Sequence, residues 1–494
     1  MPVQLLNIRL DRDSNIPLAR QLYMHMHQQI LHGYIGYKEQ LPTTRALAQE
    51  LKLSRGVVVS CYDMLKVDGL ISGFGKGGTQ VSYPIQAPSI NAASSKKQRA
   101  AEPLSQRGQK ISDAREYPAL DEPASPMLLT PSVPDFSLFP YSKWQQVSRD
   151  ALHDAPVWYQ RDGGVLQLKK SLQHYLSQYR GIHVDNLDCL LITTGTQAAL
   201  SLLARLLADP GEQALVDQVG WSGAQAAMEQ AGLQTVLAPV DEQGTQLSDW
   251  ESQTASSKPK ILVLTPSCQF PTGRAMSMQR RESFIRYTAE NHAWLIEDDY
   301  AAEYSYVQHP APSILAHVTK QSAAHHLIHV GTMSKLLLPS LRLGWMVVPE
   351  HIAPATKNAL NTLGLQPPYM VQQQLGYFMQ YGYLSTHLSN TRAIYNERGQ
   401  RCNAYLQRHA KDYFKVMPSI SGMNHYLKMV DGTVDVEKLT QSLRENGLGC
   451  DIFQQSKGSM SGKYLLLGHA NLQEDVLEAT LDRFIVAYQS FLSQ

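Results

Sequence analysis

Between Leu129 and about residue 350, short apolar runs alternate with helical stretches, and this alternation restricts the fold more than any other feature of the chain. Cys189–Ile192, Ala214–Val216, Ile261–Leu264, Trp294–Ile296, Leu327–Val330 and Gly344–Val348 have the length and character of buried strands. Ala198–Leu207 and Gly223–Ala231 carry helical spacing between them. Near-continuous apolar strands separated by helices build an α/β domain with a mainly parallel sheet. In such a sheet, functional groups belong to the loops beyond the strand ends.

Four of those loops carry chemistry. Thr193-Thr194-Gly195-Thr196-Gln197 follows a strand and opens a helix, where backbone amides and the helix dipole favour an anion; many strand-to-helix turns look alike. Gly220-Trp221 offers an aromatic ring that stacks on a planar ligand or packs in the core. Glu297-Asp298-Asp299-Tyr300 puts acids directly after a buried strand, where an unpartnered charge is costly. Its readings are a partner for a pyridine nitrogen, a helix-capping cluster or a set of metal ligands.

The fourth is Gly331-Thr332-Met333-Ser334-Lys335, with Arg342 seven residues beyond the lysine. A lysine amine holds an aldehyde as a Schiff base, while Thr332, Ser334 and Arg342 suit a phosphate. Pyridoxal 5'-phosphate is the cofactor that needs both at once. Alone, the stretch also reads as an exposed lysine between a strand and a loop. His325, His326 and His329 form H-H-x-x-H on the strand expected before it. Without an acid at ligand spacing, no metal site is expected there.

The first eighty residues are different. Leu18, Leu22, Met26, Ile30 and Leu31 recur at helical spacing, Thr43 caps a second helix carrying Leu47, Ala48 and Leu51 inward, and Ser54 caps a third bearing Val57, Val58, Cys61, Tyr62 and Leu65. Two short helices joined by a tight turn form a helix-turn-helix. Leu70 to Val81 reads as two short strands around a glycine-rich turn with Lys76 at its tip, a wing suited to phosphate or minor groove. Up to Tyr83, nine basic residues face six acidic ones, an excess of three that leaves a small protein-interaction domain open. Arg45, Arg55 and Lys76 stand at the helix starts and wing, where phosphate contacts belong.

Residues 84–128 mix six prolines with Ser, Ala, Gln, Lys and Arg, the composition of a linker. Its 45 residues span roughly 35–40 Å as a flexible chain, enough for the first domain to sit against a partner subunit. The expected division is residues 1–83, 84–128 and 129–494, the last with a large part to about 350 and a small C-terminal part from about 385. The whole-chain charge of +1 hints at no nucleic-acid partner, so any such partner meets a local surface. No apolar run reaches membrane-spanning length, the N-terminus lacks a signal segment, and the five scattered cysteines suit a reducing compartment. A cytoplasmic protein is expected.

Ile16-Pro17-Leu18, Gln40-Leu41-Pro42-Thr43-Thr44-Arg45, Leu53-Ser54-Arg55-Gly56-Val57-Val58, Asp68-Gly69-Leu70 and Gly77-Gly78-Thr79 resemble the winged helix of the GntR family. The order anion loop, aromatic, acid-Tyr, lysine, arginine resembles fold-type-I aminotransferases. Together with Tyr159–Gly164, Gln269–Gly273 and His387–Arg392 it makes the chain similar to MocR/GabR-type regulators. The resemblance implies a Schiff-base lysine at Lys335, Asp298 at the pyridine nitrogen, Tyr300 at the phenolic oxygen and Trp221 on the ring. It further implies Gly195, Thr196, Gln197, Thr332, Ser334 and Arg342 around the phosphate, and a domain-swapped homodimer. Contacts to operator DNA would come from Thr43, Thr44, Arg45, Ser54, Arg55, Gly56, Val57, Ser60, Lys76 and Gly77.

Two positions depart from the aminotransferase pattern. Phe270 stands where those enzymes usually carry asparagine, and Leu466 aligns with their carboxylate-binding arginine. The leading expectation is therefore a transcriptional regulator that senses a small amine, amino acid or vitamer through Lys335. The alternatives are a working aminotransferase with an appended DNA-binding or dimerisation domain, and a DNA-binding protein with an inert scaffold.

Overall fold

The computed structural model describes residues 10–12, 14–73, 78–83, 105, 108–109, 112, 127–154, 161–247, 258–308, 310–318, 325–455 and 459–493. Its contacts divide the chain into two compact units, Met1–Pro103 and Leu104–Gln494. Lys76 and Gly77, Tyr159 and Gln160, and nearly all of the expected linker lie outside the described residues.

In the first unit, α1 (Leu18–Leu31) buries Leu22, Met26 and Ile30 at spacings of four, the stripe that a 3.6-residue period brings to one face. Leu31, expected inside, is 41% exposed because it falls one residue off that stripe. Strand β1 (Gln40–Leu41) leads to α2 (Thr44–Glu50), whose first turn is closed by Thr43 Oγ1 accepting from the Ala46 amide at 3.2 Å. Ser54 caps α3 (Arg55–Val67) likewise, accepting from Val57 at 3.4 Å. The wing strands β2 (Ile71–Gly73) and β3 (Thr79–Val81) pair antiparallel. A third strand, β1, pairs with β3; at two residues it is too short to register as a sequence pattern.

The second unit is built on a seven-stranded sheet ordered β4-β12-β11-β10-β9-β5-β6. Its strands are β4 (Leu190–Thr193), β5 (Gln213–Asp217), β6 (Gln234–Ala238), β9 (Ile261–Leu264), β10 (Trp294–Asp299), β11 (Leu327–Thr332) and β12 (Gly344–Val347). Only β12 runs against its neighbours. Strands β7 (Val240–Asp241) and β8 (Gly244–Thr245) form a small hairpin. The six sequence-expected strands are all present, displaced by one to three residues at some ends. His325 and His326 fall before β11 rather than on it.

Alternation along each strand splits the core into two layers. Leu191, Val216, Val263, Ile296, Val330 and Met346 face one side, with α4 (Thr196–Leu207) and α5 (Ser222–Gln230) packed over them. Leu190, Ile192 and Trp345 face the other side, as do Leu215, Leu262, Leu295 and Leu327.

The C-terminal part adds an antiparallel sheet, order β13-β14-β16-β15, from β13 (Phe414–Val416), β14 (Asn424–Met429), β15 (Asp451–Gln455) and β16 (Gly462–Gly468). Helices Tyr383–His409, Val436–Glu445 and Leu477–Leu492 share a core with it. Leu128, read as the end of the linker, bridges to Leu448 and so belongs to this unit. No helix among the described residues is long and apolar enough to cross a membrane.

Arg281, 1% exposed on the helix Met278–Asn291, ties down the loop after β9 and the segment at Pro312. It donates to the carbonyls of Pro266 (2.8 Å), Met276 (3.1 Å) and Pro312 (2.5 Å). Arg281→Met strands two buried acceptors, the Met276 and Pro312 carbonyls, at roughly 1 kcal/mol each, while the Pro266 carbonyl keeps the Met276 amide. The expected loss is about 2 kcal/mol for the larger unit, seen as a lower urea midpoint by circular dichroism. An unchanged midpoint would show that the guanidinium does not hold this loop.

Candidate functional site

The strand ends bring Lys335, Asp298, Gly195 and Arg342 to one edge of the sheet. Because β4, β12 and β11 are neighbours, Thr193 stands opposite Gly344, and Gly344 opposite Thr332. The approach is close: a Cβ on Gly344 would lie 2.9 Å from Gly195 Cα, so no larger residue fits there. Gly195 itself has φ +100° and is the N-cap of α4, which leaves the amides at the start of that helix open. Arg342 reaches over this turn, with its Nη2 3.7 Å from where a Gly195 Cβ would sit. Thr332 Oγ1 donates to Ser334 Oγ at 3.1 Å and accepts from the Ser334 amide at 3.2 Å, folding the turn back toward Lys335. An anion cradle thus has helix amides on one flank and a guanidinium on another.

Strand alternation also sorts the acids of β10. Asp298 shares a face with Ile296, the side of α4 and α5, while Glu297 and Asp299 point the other way. Asp298 Oδ1 is buried with no hydrogen-bond partner. Burial first, then the Asp299 charge, pushes its carboxyl up to about 7, and Lys335 opposes the shift. Lys335 is half-buried. Burial draws its ammonium down to about 8 against the attraction of Asp298. His387, buried on helix Tyr383–His409, donates from Nε2 to the Leu336 carbonyl at 3.0 Å and fixes the backbone just beyond the lysine. Tyr300 Oη lies 3.3 Å from Cys268 Sγ. Trp221 is the N-cap residue of α5, and a Cβ on Gly223 would collide with both Trp221 and Gln197, so these two side chains flank one spot.

Glu297 and Asp299 meet a second set of groups that sequence reading missed. Arg180 Nε donates to Asp299 Oδ2 at 2.5 Å and its Nη2 to Ser267 Oγ at 2.8 Å. His329 Nδ1 lies 3.5 Å from Glu297 and 4.0 Å from Asp299. The expectation that no acid stands near the histidines is therefore corrected: β10 and β11 pair Glu297 with His329 in register. Glu297, Asp299 and His329 come within 4.8 Å of one another, but His325 and His326 are not among them. Arg180 already answers Asp299, and Glu297 accepts from Ser313 and the Ile314 amide. Burial would raise the Glu297 pKa, yet His329 and then Arg180 hold it at about 2. The signal for this set was the placement of Arg180 and Ser313 in space, which spacing along the chain does not carry.

Another supporting group is Gln269, whose Nε2 donates to Asp217 and the Val219 carbonyl at 2.9 Å each; Asp217 also accepts from Thr245 at 2.7 Å. This network fixes the segment that presents Phe270.

In the separate N-terminal unit, Thr43, Arg45, Ser54, Arg55, Gly56 and Ser60 are exposed, while Thr44 and Val57 are half-buried. Tyr62 donates to the Pro42 carbonyl at 2.7 Å, setting α3 against the turn before α2.

A winged helix-turn-helix unit joined to a fold-type-I unit with an anion cradle, a lysine and a buried carboxylate defines the class of the protein. Residues 18–81 match the bacterial regulatory proteins of the gntR family, and residues 148–455 match aminotransferase class I and II. The probable rhizopine catabolism regulatory protein MocR of Rhizobium meliloti is 33% identical over 84% of this chain and 82% of its own. The pyridoxine biosynthesis regulator PdxR of Corynebacterium glutamicum is 26% identical over 80% of each chain. Among solved structures, an α-aminoadipate aminotransferase, LysN, from Thermus thermophilus, complexed with N-(5'-phosphopyridoxyl)-L-leucine, superimposes with a TM-score of 0.66 at 22% identity, covering 74% of this chain and 93% of that one. The chain belongs to the MocR-type family of transcriptional regulators, a gntR-family domain joined to an aminotransferase class I and II domain.

The titration of Lys335 has a measurable consequence. Its amine is neutral above about pH 8, so the rate at which the apoprotein captures pyridoxal phosphate should rise with pH through that value. Asp298→Asn removes the charge that raises the lysine's pKa and should move the midpoint to lower pH. Rapid-mixing absorbance over a pH series checks both; a flat profile would contradict the assignment.

Proposed function

We propose that the protein is a pyridoxal-phosphate-dependent transcriptional regulator that senses a small amine, amino acid or vitamer at Lys335. The observation that carries this reading is the buried, unpartnered oxygen of Asp298 beside a lysine whose burial favours the neutral amine. A lone carboxylate, an amine, an anion cradle and a nearby indole suit a group with a cationic ring nitrogen, an aldehyde and a phosphate. When bound, that cofactor supplies an aldehyde carbon that exchanges reversibly between primary amines.

In this reading, Asp298 holds the proton of the ring nitrogen and Lys335 supplies the resident amine. Tyr300 faces the phenolic oxygen, and Trp221 stacks on the ring. Gly195, Thr196, Gln197, Thr332, Ser334 and Arg342 bind the phosphate. We assign residues 1–83 to DNA binding, 84–128 to the connector and 129–494 to sensing, in a domain-swapped homodimer working in the cytoplasm. Thr43, Thr44, Arg45, Ser54, Arg55, Gly56, Val57, Ser60, Lys76 and Gly77 form the operator-facing surface. An effector that favours one arrangement of the larger unit shifts the winged helices between DNA-binding geometries only by its differential affinity for the two states.

Two measurements test this. Lys335→Ala should abolish the visible absorbance of the holoprotein and the response of operator binding to amines. Arg55→Ala should weaken operator binding and lower the slope of log affinity against log salt by about 0.9, one phosphate contact. Rapid steady-state turnover of an amino acid and keto acid pair would replace the regulator with a working aminotransferase.

A further inference from the structure

The proposed cofactor site has one flank built entirely of apolar and aromatic side chains. Phe270 meets the Tyr300 ring edge-on at 6.2 Å and the Phe453 ring at 5.9 Å. Behind it, Tyr426 and Tyr464 stack at 4.5 Å, and Leu466, between Tyr426 and Asp451 in the sheet, has no exposed surface. These side chains form one buried cluster, and Trp221 and Tyr300, the two aromatic groups of the site, lean against it.

The buried members of the cluster carry no cationic group; their hydrogen-bonding groups are the hydroxyls of Tyr426 and Tyr464. The Tyr464 hydroxyl donates to the Met460 carbonyl at 3.0 Å. Lys428 lies over the Tyr464 ring, 5.7 Å from its centre, and lines a cavity with Met417, Met460 and Tyr464 in which Asp241 and Glu242 stand with it. Each buried arginine among the described residues is engaged elsewhere: Arg180 with Asp299, Arg281 with three carbonyls, and Arg398 with Asp135 at 2.8 Å. Arg392 is exposed on a groove with Glu303 and Tyr306, and Arg342 belongs to the anion cradle. A carboxylate pressed against Phe270 would lose its water and gain no cation, whereas an alkyl or aryl group would gain by burial.

We propose that the effector at Lys335 is a primary amine whose amine-bearing carbon carries no carboxylate and whose apolar portion rests on the wall of Phe270 backed by Leu466. These two residues set specificity. The inference rests on the cofactor reading of Lys335 and narrows its ligand class from amino acids in general to simple alkyl and aryl amines.

The test uses matched pairs on the full-length holoprotein: 2-phenylethylamine against L-phenylalanine, and isoamylamine against L-leucine. Visible absorbance and thermal melting are followed as each is titrated. The amine of each pair should reach half-saturation at a concentration lower by about tenfold or more, the ratio that about 1.4 kcal/mol produces. Leu466→Arg should narrow or invert that ratio, and Leu466→Met should preserve it. If the arginine variant does not fold, Phe270→Asn replaces it, and the wild-type ratios already decide the matter. Equal or tighter binding of the amino acids to the wild type overturns the inference, as does indifference to both members of both pairs. A holoprotein without visible absorbance, or one whose absorbance survives Lys335→Ala, instead overturns the cofactor reading on which the inference stands.

Discussion

The interaction on which the larger unit depends is the encounter of Asp298 with Lys335 at the buried end of a parallel sheet. Three consecutive acids end β10, all of them buried. Left unanswered, each would cost several kcal/mol in so dry a place. The pleat divides the problem. Glu297 and Asp299 turn to one face, where Arg180, His329 and Ser313 receive them, and Asp298 turns to the other, where only a lysine charge opposes it. On the first face the Arg180 guanidinium answers Asp299 directly, although Asp299 Oδ1 makes no hydrogen bond. The second is left short of a partner, and that shortage is what suits it to a cationic ring.

Around this pair, the backbone does much of the positioning. Gly195 and Gly344 let two strand ends approach until the start of α4 meets Arg342. His387 pins the carbonyl next to Lys335, and the Asp217–Gln269 contact holds the segment that presents Phe270. Phe270, backed by the fully buried Leu466, adds an apolar wall beside Tyr300. Under the proposed function, charge gathers at Arg342, Lys335 and Asp298 and is absent from the wall of Phe270 and Leu466. A sensor needs selective capture of an amine more than it needs stabilisation of reaction intermediates, and this distribution meets the first demand.

Much of this was legible along the chain, for particular reasons. Six of the seven strands of the central sheet are largely buried on both faces, so each reads as an apolar run; β6, at the sheet edge with only Ala238 buried, does not. The helix starts at Thr43 and Ser54 were legible because capping is a local interaction completed within three residues. The order of Gly195, Trp221, Asp298, Lys335 and Arg342 was legible because each lies at or near the end of an apolar strand. The strands of the C-terminal sheet were not read, and Phe414–Val416 and Asn424–Met429 interleave polar and apolar residues with no clean period. Leu31 was misplaced because a helical stripe is narrower than a list of apolar residues suggests, and the two leading histidines because strand β11, like its apolar run, begins only at Leu327.

By itself the sequence determined which segments become strands and helices, where the capping hydroxyls fall, and which strand ends carry reactive side chains, because these depend on neighbours within a few residues. Only the tertiary structure decided which acid of β10 faces the lysine, that Arg180 and His329 answer the other two, and that Phe270 and Leu466 meet as one wall. Those relations join residues that are scores to hundreds of positions apart, or turn on the face of a pleat that pairing alone selects. Sequence spacing carries no information about a charge that arrives from another element, and at this site such charges decide the chemistry.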